Sequence, residues 1–100
     1  MSWFVYIAEA KTGNYYVGIT TEPARRIIDH NKGNGARMAK SQGPFVLVYT
    51  SPELPDQSLA RKWEIYLKRW PRGKKTELII GDIAWSDLVL PELKNKKPSN

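Results

Sequence analysis

One hundred residues suffice for a single domain with a real core, and 41% hydrophobic against 26% charged residues exclude both a disordered and a membrane-spanning chain. No apolar run approaches the length needed to cross a bilayer. Sixteen Lys and Arg against ten Asp and Glu, a formal charge of +6, favour a polyanionic partner, while the lack of cysteine excludes disulfides, thiolate nucleophiles and cysteine-ligated metals.

The chain starts Met1-Ser2-Trp3-Phe4 without a basic leader and meets Glu9 and Lys11 soon after, so no secretory signal is expected and the cytoplasm is the default compartment. Val5-Tyr6-Ile7 and Tyr16-Val17-Gly18 then flank a Thr12-Gly13-Asn14 turn and read as a hairpin. A three-residue loop, Lys11-Thr12-Gly13, with Gly13 in the left-handed position, pairs Ala10 with Asn14, Ala8 with Tyr16 and Tyr6 with Gly18. Side chains alternate along a strand, so this register puts both phenols on one face, as diagonal neighbours about 7 Å apart. Gly18 opposite Tyr6 is expected to leave an open floor. Tyr15 falls on the opposite face, to pack with Val17 and Ile19.

Thr20, Thr21 and Pro23 predict a helix start with a threonine cap, and Lys32-Gly33 its end after Asn31. Arg26 and His30, four apart, project from one side of that helix. Arg25, Arg26, Lys32, Arg37 and Lys40 make one basic stretch, which glycines at 33, 35 and 43 turn into a loop suited to a phosphate backbone; Lys68, Arg69, Arg72, Lys74 and Lys75 make another. Phe45-Val46-Leu47-Val48-Tyr49-Thr50 predicts a third strand, whose unbroken apolarity implies burial on both faces. Asp56 or Ser58 caps a second helix with Leu59, Trp63, Tyr66, Leu67 and Trp70 as core, stopped by Pro71. A third helix is expected over 74–80. Residues 82–93 carry enough apolar surface to dock, and 94–100 read as a basic disordered tail. The fold class is α+β: a small three-stranded antiparallel sheet flanked by helices, one domain over 1–93.

A phenol, a guanidinium and an imidazole in proximity suit a phosphodiester, because Arg grips two phosphate oxygens in its planar fork while the phenol or imidazole moves protons. Each residue also has an ordinary explanation. The tyrosines suit half-buried strand packing, Arg26 a helix surface, His30 a helix C-terminus, and Glu64 an ion pair with Lys68 one turn on. The ordered set outweighs these. Val5-Tyr6-Ile7, Tyr16-Val17-Gly18, Arg26 eight residues and His30 twelve residues after that glycine, and Glu64 in Trp63-Glu64-Ile65 together resemble the GIY-YIG nuclease superfamily over residues 3–80. The likeness is to its small stand-alone bacterial members, related to the nuclease domain of the bacterial excision-repair machinery. The first tripeptide departs from the family name but keeps its tyrosine.

The resemblance implies a metal-dependent endonuclease that leaves 5′-phosphate and 3′-hydroxyl ends, with DNA the expected substrate and repair or processing the expected setting. It gives Glu64 to a Mg²⁺ (or Mn²⁺) ion that keeps most of its waters. Tyr16, or Tyr6 in relay with it, takes the proton of the attacking water, with His30 the rival base. Arg26 neutralises charge developing on the phosphoryl oxygens. Gly18, Arg25, Asn31, Lys32, Arg37 and Lys40 are the expected substrate contacts. A stand-alone core has no specificity domain, so a protein partner that selects the target is also expected. The alternative from another class is a non-catalytic nucleic-acid-binding or interaction module on the same fold.

Overall fold

Strand β1 (Phe4–Glu9) is the middle of a three-stranded antiparallel sheet in the order β2-β1-β3, with β2 over Tyr15–Thr20 and β3 over Val46–Thr50. The computed structural model describes residues 2–32 and 43–91. Helix α1 (Pro23–Asn31) follows β2, α2 (Gln57–Lys68) and α3 (Arg72–Ile80) follow β3, and a single 3₁₀ turn spans Trp85–Asp87. The α+β class and the antiparallel sheet flanked by helices are as the sequence predicts. None of these helices is long and apolar enough to cross a membrane.

The alternation of β1 divides the interior in two. Val5 and Ile7, neither with any exposed surface, point to one face and meet Val17, Ala60, Trp63, Leu67, Trp70 and Leu78. Tyr6 and Ala8 point to the other and meet Ile27 of α1 together with Phe45. Thus α1 covers one face of the sheet, and α2 packs against β1 and β2 on the other. Three of the five expected core residues of α2, Trp63, Leu67 and Trp70, are buried, whereas Leu59 and Tyr66 pack at the rim.

The third strand departs from expectation. It pairs only with β1, and Val46 is 60% exposed, so the unbroken apolar run marks an edge strand rather than one buried on both faces. The physical reason is order in space. The strand flanked on both sides is the first in sequence, and periodicity within a run does not report which strand lies centrally. The β1–β3 pairing slips its register between Ile7 and Ala8. Past Thr50 the Val5 amide donates to Ser51 Oγ at 3.0 Å, and the Ser51 amide donates to the Val5 carbonyl at 2.8 Å.

Helix boundaries follow local chemistry. Asp56 caps α2, its carboxylate accepting the Leu59 amide at 2.8 Å. The expected threonine cap of α1 is not formed. Glu22 is the N-cap residue and gives no side-chain bond, because Thr20 spends its hydroxyl one step earlier, on the Glu22 amide at 3.1 Å, shaping the turn out of β2. Pro23 does sit in the first turn. Helix α3 starts two residues before the expected Lys74, directly after Pro71, and ends on Gly81 at φ 93°, which only glycine adopts freely. The segment beyond docks as expected: Trp85 stacks on Tyr49 at 6.3 Å and lies 4.6 Å from Trp63. The expected tail, 94–100, lies outside the described residues.

Leu67 has no exposed surface at the centre of the larger core. Leu67→Ala is expected to cost about 2–5 kcal/mol, read as a lower urea midpoint at unchanged slope. Val89, 78% exposed, serves as the contrast. Val89→Ala should shift stability by less than about 0.5 kcal/mol.

Candidate active site

The hairpin register puts the first two functional side chains in place. Ala10 donates to the Asn14 carbonyl at 2.8 Å, Gly13 takes φ 94°, and Tyr6 pairs with Gly18 and Ala8 with Tyr16, as predicted. The open floor is not observed. A Cβ built on Gly18 would stand 2.6 Å from Tyr6 Oη and 2.7 Å from its Cζ, so the phenol lies across the glycine and fills the space itself. Tyr6 is accordingly 6% exposed.

Tyr16 shares that face, and its ring meets the Phe45 ring edge-on at 5.4 Å. His30 meets the same ring from α1 at 5.8 Å, again edge-on. Phe45 is fixed by its backbone: its amide donates to Asn31 Oδ1 at 2.7 Å and its carbonyl accepts from Asn31 Nδ2 at 2.8 Å. Asn31 therefore ties the end of α1 to the start of β3, and Phe45 spaces Tyr16 from His30.

Glu64 arrives from the opposite sheet face on α2. Its side chain is 8% exposed, and both carboxylate oxygens are engaged, Oε1 by Arg61 Nη1 at 2.7 Å and Oε2 by Lys68 Nζ at 3.3 Å. The sequence's ordinary explanation, a Glu64–Lys68 pair, is thus part of the site. Because β2 is an edge strand, side chains of both faces meet around it in one cleft of about 570 Å³. Tyr6, Tyr16, Gly18, Arg26, His30 and Glu64 all line it, with Arg61, Lys68 and Lys75.

The other expected substrate contacts lie elsewhere. Arg25 does not line the cleft and pairs with Asp29 at 3.8 Å, Asn31 holds Phe45, and Lys32 caps α1 at an exposed position. Arg37 and Lys40 fall outside the described residues. Sequence reasoning missed Phe45, Arg61 and Lys75 as contributors. Arg61 had a signal, standing three residues before Glu64 on one helix face; Lys75 had only its place in the second basic stretch, since a separate helix brings it to the cleft.

Two cations of the cleft are destabilised in their charged form. Burial, then the neighbouring Arg26 charge, lowers the His30 pKa below 6.5 against a smaller opposing pull from Asp29, so the imidazole is neutral at pH 7. Its Nδ1 is buried without a hydrogen-bond partner among the described residues. With Nδ1 buried, Nε2 is the ring nitrogen left to meet a ligand in the cleft that His30 lines. Burial and the Arg72 charge likewise lower the Lys75 pKa.

The donor set for a metal is one carboxylate; the described residues contain no group of three His, Cys, Asp or Glu that could hold an ion. That fits Mg²⁺, which keeps several waters and takes one or two carboxylates plus substrate phosphate.

Two phenols, a cleft arginine and a single buried acid around a sheet edge suit a domain of the nuclease type. Comparison with known proteins agrees. The GIY-YIG catalytic domain family matches residues 2–77, and the chain belongs to that family. It is 42% identical over 79 residues to a UPF0213 protein of Halalkalibacterium halodurans, covering 79% of this chain and 83% of that one. It is 31% identical over 97 residues to the UPF0213 protein YhbQ of Escherichia coli, covering 93% and 96%. The solution structure of protein EF2693 from E. faecalis superposes with a TM-score of 0.54 at 33% identity, over 82% of this chain and 86% of that one.

Gly18→Ala should force the Tyr6 ring off its seat, since the clash is with a ring held by its own burial. The expected outcome is a lower melting temperature together with a changed Tyr6 ring environment in NMR spectra; an unshifted Tyr6 would refute the close approach. Asn31→Ala removes both bonds to Phe45 and is expected to cost about 1–3 kcal/mol, measured by urea unfolding.

Proposed function

We propose that the chain is a divalent-metal-dependent endonuclease that hydrolyses phosphodiester bonds in DNA to 5′-phosphate and 3′-hydroxyl ends, acting in repair or processing with a protein partner that selects the target. One observation carries the reading: five chemically complementary side chains, from β1, β2, α1 and α2, converge on one cleft although two of the helices lie on opposite sheet faces.

In this reading Arg26, exposed and without an ion pair among the described residues, takes the two non-bridging oxygens of the scissile phosphate in its fork. His30 donates from Nε2 to the same phosphoryl group. Its neutral state keeps that role independent of pH near 7. Tyr16 accepts the proton of the attacking water, with His30 the rival base. Tyr6, fixed on Gly18, orients that phenol and the water. Glu64 would hold Mg²⁺ or Mn²⁺. Bound there, such an ion would supply Lewis-acid stabilisation of the leaving 3′ oxygen. Lys68, the longer and weaker of the two partners of Glu64, is the one to give way, and it then stands free to meet substrate phosphate.

A second reading has an observation in its favour. Arg61 and Lys68 already neutralise Glu64, as in a module that binds nucleic acid without cutting it. Glu64→Gln separates the two. Cleavage of a labelled DNA panel in Mg²⁺ or Mn²⁺ should vanish in the variant, and in wild type with EDTA, while binding survives; a wild-type panel uncut in either metal favours the module.

The pH profile tests the proton path. With Tyr16 as base, Tyr16→Phe should lose most of the single-turnover rate at every pH tested. A rate that is flat above neutrality and falls only below about pH 6.5 would give the base role to His30, which protonates in that range.

A further inference from the structure

Beside the cleft, a second concavity of about 310 Å³ is lined by Asn14, Tyr15, Tyr16, Arg72 and Lys75. It adjoins the first, with Tyr15, Tyr16 and Lys75 lining both. Two of its residues are rigidly held. Arg72 donates through Nη1 to the Gly13 carbonyl of the hairpin turn and lies over the Tyr15 ring at 4.0 Å. Tyr15 is itself fixed, its hydroxyl sharing a 3.0 Å hydrogen bond with Thr76 Oγ1.

Lys75 is the anomaly. It is half-buried next to the Arg72 guanidinium, which repels it, and its side chain makes no hydrogen bond or ion pair among the described residues. The small concavity contains no carboxylate, and Glu64, the one acid lining the main cleft, is already engaged by Arg61 and Lys68. Lys75 faces this pocket beside a like charge and at the expense of its own solvation, the arrangement an anion relieves, since an anion within about 4–6 Å favours the charged form of the lysine. An anion in this pocket lies next to whatever occupies the main cleft, because Tyr15, Tyr16 and Lys75 line both.

We propose that Arg72 and Lys75 form a second phosphate subsite, which takes a non-scissile phosphodiester of the bound strand, so that the substrate backbone crosses the free edge of β2 from Arg26 on α1 to Lys75 on α3. The subsite rests on the nucleic-acid reading above and extends it. The adjoining Tyr15 and Tyr16 give the sugar or base next to that phosphate an aromatic wall. Lys75 belongs, on this geometry, to the substrate path, and is not an outlying surface charge as its position beyond the motif implies. Lys74 differs: it sits over the Trp70 ring at 4.3 Å and lines neither concavity.

The test follows lysine side-chain NMR signals of the full chain during titration with tetrathymidylate and with its uncharged methylphosphonate analogue. The Lys75 signal should shift saturably with the charged probe, its pKa returning toward the ordinary lysine value, and should stay still with the neutral one. Lys74 should show only a slight linear drift. Lys75→Gln should weaken tetrathymidylate binding several-fold and reduce the slope of log affinity against log salt by about 0.7, the effect of one lost phosphate contact on a single strand. Lys75 and Lys74 moving in parallel, equal response to both probes, or an unchanged salt slope would each overturn the subsite. Cleavage of the DNA panel is scored separately. A protein that cuts DNA with Lys75 unmoved refutes the subsite alone, and one that binds at Lys75 but cuts nothing refutes the nuclease alone.

Discussion

The register between β1 and β2 is the constraint on which the site depends. Strand side chains alternate, so slipping the pairing by one residue would carry Tyr16 to the α2 face and leave Tyr6 opposite a side chain instead of Gly18. Two local features prevent the slip. Gly13 adopts a positive φ that closes a three-residue loop, and Tyr6 rests on the one position of β2 that lacks a Cβ. The second also reinforces the first, since in any other register the buried Tyr6 ring would lie against a β-branched or aromatic side chain of β2.

Glu64 presents the opposite problem, a charge that the fold must retain while hiding it from water. An isolated buried carboxylate costs several kcal/mol. Arg61 and Lys68, on the same helix at three and four residues' distance, remove that penalty locally and need no partner from elsewhere in the chain. Both cations stay more than half exposed at their side chains, which keeps them hydrated and exchangeable. The arrangement gives a buried acid partners that can leave, as a fixed tertiary ion pair would not.

What is legible in the sequence is local. The hairpin, its register, the Asp56 cap and the face shared by the phenols all follow from turn chemistry and alternation within about fifteen residues. Spatial order is not legible, and for that reason the β3 run implies burial on both faces when β1 occupies the centre. Rotamers are not legible either: Gly18 announces a gap, but only the packed ring shows that Tyr6 closes it. Asn31 shows a third limit. Residue type suggests substrate contact, yet an amide can satisfy an amide and a carbonyl at once, and here both belong to Phe45. The convergence of Lys75 with Arg26 depends on how α3 packs, which no pattern within either segment encodes.

A three-stranded sheet with helices on both faces offers few places for a shared site. The central strand is covered on either side by the two cores, so groups carried by α1 and α2 cannot meet through the sheet. They can meet only around an edge. Of the two edges, β3 is joined by Ser51 and Trp85 to the rest of the fold and presents Val46 outward, whereas β2 carries Tyr16 on one face and Tyr15 on the other. An edge with aromatic side chains on both faces, Arg26 beyond one and Arg72 and Lys75 beyond the other, suits a chain of negative charges laid across it. The edge of β2, unpaired among the described strands and ordinarily a liability for aggregation, is thereby flanked by cations.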